Sequence, residues 1–261
     1  MVAALPFPPS ADLVERAARG YAFLAVRTRW LPLFHGSRVP TNVPGGSDRR
    51  VIEDRFVLKM LSWVDEVRPL SFGRAPGFAV EVHGRERLAA AFAEGRGVIL
   101  VTGHFGFPPA IRVALDATGT SWLALRQFGL REGGLSLGGD PWARVRTLRR
   151  AREALGRNQA CVILADGGHG AVARVPFLEG QLGVSLGAFA LARASGCPVV
   201  PFFVPLVDGP RRLRVEIEAP LPRSMPPGED PVDGAVRSFA RLYETYVRRY
   251  PSSVYWGASS R

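Results

Sequence analysis

Gly95-Arg-Gly-Val-Ile-Leu-Val-Thr-Gly-His-Phe-Gly106 is the stretch on which the fold turns. Its middle, Gly97-Val-Ile-Leu-Val-Thr102, is an unbroken apolar run rich in β-branched residues. A strand that reads this way is buried on both faces, as strands are in a parallel sheet covered by helices on either side. Directly after it come Gly103, His104 and Gly106. Glycine lets the backbone turn sharply and lets a ligand approach, so a titratable side chain is set where chemistry is accessible.

Outward from this strand, the texture alternates between the two periods. Further strands are expected at 78–82, 121–125, 160–165, 199–204 and 213–217. Helices are expected at 86–94, 108–117, 141–155, 187–195 and 232–250. Proline is tolerated in the first turn of the 108–117 helix. Upstream, Leu13, Val14, Ala17, Tyr21, Leu24 and Trp30 recur near helical spacing over 11–31, with Arg16, Arg19, Arg27 and Arg29 between them. Such a stripe suits either a membrane interface or a helix packed on its own core. Pro32 and the Gly/Pro/Ser-rich stretch 36–48 close it, and a second helical pattern runs over 49–67. The expected fold is α/β, with a mostly parallel central sheet flanked by helices on both faces and an N-terminal helical lead-in. Residues 1–75 would form the helical membrane-associating segment, and 76–261 the α/β domain.

The chain has 261 residues, 47% hydrophobic and 22% charged, enough for one domain with a proper core. Thirty-four basic residues against 23 acidic ones give a net charge of +11, and Lys59 is the only lysine. Guanidinium groups bind phosphate and carboxylate bidentately, which suits anionic headgroups, nucleic acid or an acidic protein. Arg144, Arg146, Arg149, Arg150 and Arg152 make the 141–155 helix the densest basic element. Such runs are more often solvated faces than sites, although near a headgroup each arginine contributes about 1 kcal/mol. No groove-reading motif or aromatic platform accompanies the charge, so nucleic acid is not an expected partner. Cys161 and Cys197 each sit in an apolar run, as reduced core thiols do, and offer no metal-ligand spacing. No signal-peptide pattern opens the chain, and the longest uncharged runs are too short to span a bilayer. A cytoplasmic location follows as the expectation, with room for peripheral membrane contact.

A second strand end matches the first. Ala160–165 would deliver Asp166, Gly168, His169 and Gly170 to the same edge. Ligands of such sheets bind beyond the carboxyl ends of the strands. His104 is therefore the leading candidate to take a proton from a hydroxyl or amine, with His169 as a second candidate.

These blocks resemble the bacterial lipid A biosynthesis acyltransferases, lauroyl and myristoyl types, within the glycerophospholipid acyltransferase superfamily. The resemblance runs from about Phe78 to the C-terminus. Gly95 to Gly106 is similar to the family's strand and first motif, whose histidine is the catalytic base. Arg126 matches the arginine one helix and one strand further on. Ile163-Leu-Ala-Asp-Gly-Gly168 with Val175-Pro-Phe177 resembles the next block. Gly187, Leu191-Ala-Arg193 and Gly196-Cys-Pro-Val-Val-Pro-Phe202 match the helix and strand that follow. Tyr250-Pro-Ser-Ser-Val-Tyr-Trp256 is similar to the closing segment.

The resemblance implies transfer of a fatty acyl group from an acyl-carrier-protein or coenzyme A thioester to a hydroxyl or amine of a membrane lipid, with no further cofactor and no metal. His104 would be the base, and Arg126 would hold an anionic headgroup or the phosphopantetheine arm. Backbone N–H groups near Gly106 and Gly168 would stabilise the oxyanion. The expected setting is the cytoplasmic face of the bacterial inner membrane, held peripherally on an anionic surface. One position departs from the pattern. The family pairs its histidine with an acid five positions on, where this chain has Pro109. Asp116 lies about two helical turns beyond, at ~1.5 Å per residue, and substitutes poorly. Asp166, arriving from another strand at the same edge, is the expected partner. A chain that had lost the motif acid without replacement would instead be a lipid-binding protein of the same fold.

Overall fold

A computed structural model describes residues 79–126, 134–136, 141–166, 171–207, 212–223, 228 and 230–254, with isolated positions 16, 17, 19, 20, 51, 53, 54 and 58 upstream. Most of the expected 11–31 and 49–67 helices and the 167–170 turn lie outside them. Strands β1 (Ala79–His83), β2 (Val98–Thr102), β3 (Trp122–Arg126), β4 (Gly134–Ser136), β5 (Ala160–Leu164), β8 (Val199–Phe203) and β9 (Arg212–Ile217) form one sheet. Its order is β1-β9-β8-β2-β5-β3-β4. All neighbours are parallel except β8 and β9, which makes the sheet mixed and mostly parallel. A separate antiparallel hairpin joins β6 (Val172–Phe177) to β7 (Gly180–Ser185).

Five described helices cover the sheet: α1 (Arg85–Ala93), α2 (Ile111–Thr118), α3 (Pro141–Gly156), α4 (Gly187–Ser195) and α5 (Pro231–Arg249). The central strands show why both faces are covered. Ile99 and Val101 of β2 pack with Cys161 and Ile163 of β5 against α3, α4 and α5. Val98 and Leu100 point the other way, with Ala160 and Val162, into the core beneath α1 and α2. Successive strand residues face opposite sides, so an unbroken apolar run satisfies two cores at once. Leu58, from the second upstream helical pattern, is buried in the α1–α2 core.

α5 illustrates how local sequence fixes an element. The Asp230 side chain caps it by accepting the Val232 N–H at 2.7 Å, and Pro231 occupies the first turn. Val236, Phe239, Ala240, Tyr243 and Val247 recur at helical spacing and are buried. Cys161 and Cys197 are free and buried, and desolvation pushes their thiols up to about 12 and about 11. Among the described residues no helix is long and apolar enough to cross a membrane.

Candidate active site

β2 and β5 are parallel neighbours whose register pairs Val98 with Ala160 and Thr102 with Leu164. Two residues beyond each strand, the same offset sets His104 opposite Asp166. The ladder thus brings the two together without any help from loop sequence. His104 Nδ1 lies 2.7 Å from Asp166 Oδ1, and the His104 backbone N–H donates to Asp166 Oδ2 at 2.7 Å. The carboxylate therefore holds both ring and backbone of the histidine, fixing its orientation. Asp166 is buried, while the His104 side chain is 52% exposed. An imidazole with one nitrogen anchored and its ring half in solvent is available for proton transfer.

Electrostatics follow from this geometry. The hydrogen bond to Asp166 raises the His104 pKa above the ordinary histidine value, burial opposes it, and the Asp166 charge adds to the rise. The Asp166 carboxylate has another donor, the Tyr243 hydroxyl of α5, at 3.2 Å from Oδ2. Tyr243 is fully buried, and desolvation, followed by the nearby Asp166 charge, pushes its pKa well above normal. It stays protonated and remains a donor.

The sequence reading missed Tyr243. Its signal was present, because a tyrosine on the apolar face of a helix needs a partner for its hydroxyl. The ring sits in an aromatic frame, edge-on to Phe105 at 6.0 Å, stacked with Phe203 at 5.7 Å and tilted against Phe177 at 5.3 Å. It lies directly over Gly103, where an added Cβ would come 2.6 Å from ring carbons.

Backbone N–H groups near Gly106 were the expected oxyanion donors, and in the structure the Gly106 N–H donates to the Ser253 carbonyl at 2.5 Å. The neighbouring N–H groups are engaged too, Phe105 with the Gly103 carbonyl at 2.8 Å and Phe107 with Val204 at 3.0 Å. Gly106 lets two backbone segments meet closely. Its φ is +59°, and a Cβ there would fall 1.6 Å from the Val204 carbonyl oxygen. The closing segment, a short 3₁₀ turn at Pro251–Ser253, braces this loop. Phe105 bridges to Val254, and Ser253 Oγ accepts the Leu206 N–H at 3.3 Å.

Arg126 ends β3 at the same carboxyl edge, one strand beyond β5, and its side chain lies outside the described residues. So do Gly168 and His169. Pro109 is in the 3₁₀ turn Pro108–Ala110 that leads into α2. Asp116 is exposed near the far end of α2. Among the described residues no three His, Cys, Asp or Glu side chains gather to hold a metal ion. A scan against models of known protein families finds no match to this chain, and a search of curated proteins finds none either.

Proposed function

We propose that the chain is an acyltransferase that moves a fatty acyl group from an acyl-carrier-protein or coenzyme A thioester to a hydroxyl or amine of a membrane lipid. It would work peripherally at the cytoplasmic face of a bacterial inner membrane. The observation that carries this reading is the Asp166–His104 pair at 2.7 Å, with the histidine half exposed at the carboxyl edge of a mostly parallel sheet. The ordered motif resemblance supplies the chemistry class.

A carboxylate only accepts hydrogen bonds, so Nδ1 keeps its proton and the lone pair of the neutral ring lies on Nε2. Nε2 takes the proton of the acceptor hydroxyl as its oxygen attacks the thioester carbonyl carbon. The new C–O bond forms and the carbonyl electron pair moves onto oxygen. Collapse restores the carbonyl and breaks the C–S bond. The imidazolium passes its proton to the departing sulfur, leaving an ester and a free thiol. Asp166 does the work that the family gives to the acid absent at Pro109, orienting the ring and stabilising its protonated form. Arg126, at the same edge, holds the acceptor headgroup or the donor's phosphate.

The raised His104 pKa sets the pH dependence. The base acts when neutral, so turnover should climb with pH through a value above the ordinary histidine range of about 6.5. Asp166→Asn removes the cause of the rise and should move the limb to lower pH while lowering the plateau. Tyr243→Phe should shift the limb the other way. Without the phenol, Oδ2 loses a donor that competes for the carboxylate, so the Asp166–His104 bond strengthens and the limb moves to higher pH. The plateau should fall about fivefold, the net worth of a hydrogen bond near 1 kcal/mol. A pH–rate profile of the two variants checks both signs, which a purely structural role for Tyr243 would not produce.

The function itself is tested by lipid mass spectrometry of a deletion strain. One lipid class should be lighter by a single acyl chain, restored by the wild-type gene and not by His104→Ala. An unchanged lipid profile would overturn the reading.

A further inference from the structure

We infer that the outward face of α3, centred on Trp142 and Val145 and ringed by arginines, docks on an anionic lipid bilayer. The inference rests on the membrane-acting reading above and assigns it a surface. α3 packs through Thr147, Ala151, Ala154 and Leu155, all buried. On its other side Trp142 is 73% exposed and Val145 55%. Positions 142, 145 and 149 fall on one side of a helix with 3.6 residues per turn, so these side chains point away from the core together. Arg146, Arg149, Arg150 and Arg152 are exposed around them. The acid on this face, Glu153, is held by Arg149 at 3.5 Å.

An exposed indole beside aliphatic and guanidinium groups matches the boundary between acyl chains and phosphates. The ring sits at headgroup depth, the aliphatic groups go deeper, and the arginines reach phosphate. A nucleic acid would use the arginines but leave Val145 in water, which favours the bilayer.

The direction of α3 connects this face to the site. β4 pairs Ser136 with Arg126 at the carboxyl end of β3, and α3 begins at Pro141. It runs back to Ala160, which pairs with Val98 and Trp122 at the amino ends of their strands. Sixteen residues rise about 24 Å, more than the roughly 17 Å that a five-residue strand spans, so the helix covers the whole height of the sheet. The Trp142 end of the helix is therefore at the carboxyl edge, the edge of His104 and Asp166. Docking through Trp142 sets that edge against the lipid surface, where an acceptor headgroup resides.

The test is flotation of the purified full chain with phosphatidylcholine vesicles, with and without phosphatidylglycerol. Binding should require the anionic lipid. The pair Arg149→Gln/Arg150→Gln should weaken it about fivefold per arginine removed, and Trp142→Glu should weaken it at least as much. Brominated acyl chains should quench tryptophan emission in wild type, and Trp142→Phe should reduce that quenching. Equal binding to neutral vesicles, or no effect of either variant, overturns the inference. So does loss of thermal stability in Trp142→Glu with vesicle binding intact, because the face would then be covered by another part of this chain. Preferential binding of duplex DNA that displaces vesicles overturns it as well. No acyl donor is present in flotation, so its failure is separate from failure of the catalytic reading. Trp142→Glu should keep wild-type turnover on a water-soluble acceptor.

Discussion

Asp166→Asn should lower acyl-thioester turnover about as far as His104→Ala, by about 10²- to 10⁴-fold, and the double variant should be little worse than either alone. The basis is the geometry of the pair. Asp166 Oδ1 anchors the ring nitrogen, and Oδ2 anchors the backbone of the same residue at 2.7 Å. A histidine without its carboxylate loses orientation, the correct tautomer and the stabilisation of its protonated form in one step. Groups that act as a unit give non-additive losses. If the two losses instead multiply, Asp166 does separate work, such as binding the acceptor. Asparagine keeps the shape of the side chain and an acceptor oxygen, so the fold should survive. Circular dichroism alongside the kinetics checks that it does.

Gly103→Ala should be nearly as damaging, for a different reason. The new methyl would meet the Tyr243 ring at 2.6 Å, far inside contact distance. Tyr243 cannot retreat, because it is buried and Phe105, Phe177 and Phe203 pack around it. The loop carrying His104 must shift instead. A displacement near 1 Å at a catalytic group costs about 10²-fold in rate, and overpacking a tight core costs about 1–3 kcal/mol. Thermal unfolding should register that cost as a drop of roughly 2–4 °C per kcal/mol for a domain of this size. Combining Gly103→Ala with Tyr243→Leu removes the ring that the methyl meets. The double variant should lose less stability than the sum of the single losses, since residues in contact couple. Simple additivity of the stability losses would show that Gly103 matters for another reason.

The central sheet was legible because its strands are buried on both faces. Val98-Ile-Leu-Val-Thr102 and Ala160-Cys-Val-Ile-Leu164 carry no polar alternation, which a surface strand or a helix would need. The short strand β4 and the β6–β7 hairpin were not legible. Gly134–Ser136 is too short to show a period, and Arg174 and Pro176 interrupt the apolar texture of β6. His104 and Asp166 stood out as titratable residues among glycines at strand ends. What the sequence could not show was register, and the constant offset between β2 and β5 is what makes them partners. Glycine beside a histidine suits both an oxyanion donor and a close backbone crossing, and the approach of Val204 and Ser253 to Gly106 became visible only in the structure. Tyr243 lies 139 positions from His104 by numbering and reaches the site through tertiary packing alone, which no local pattern encodes.

The most direct measurement combines purified protein, a radiolabelled acyl thioester and a bacterial lipid extract. It follows release of free thiol and appearance of label in lipid. The wild type should produce both in equal amounts, above a pH set by the raised His104, and His104→Ala should produce neither above background. Labelled lipid formed equally well by His104→Ala would contradict the mechanism. Tight lipid binding with no thiol released by the wild type would make the chain a lipid-binding protein rather than an enzyme.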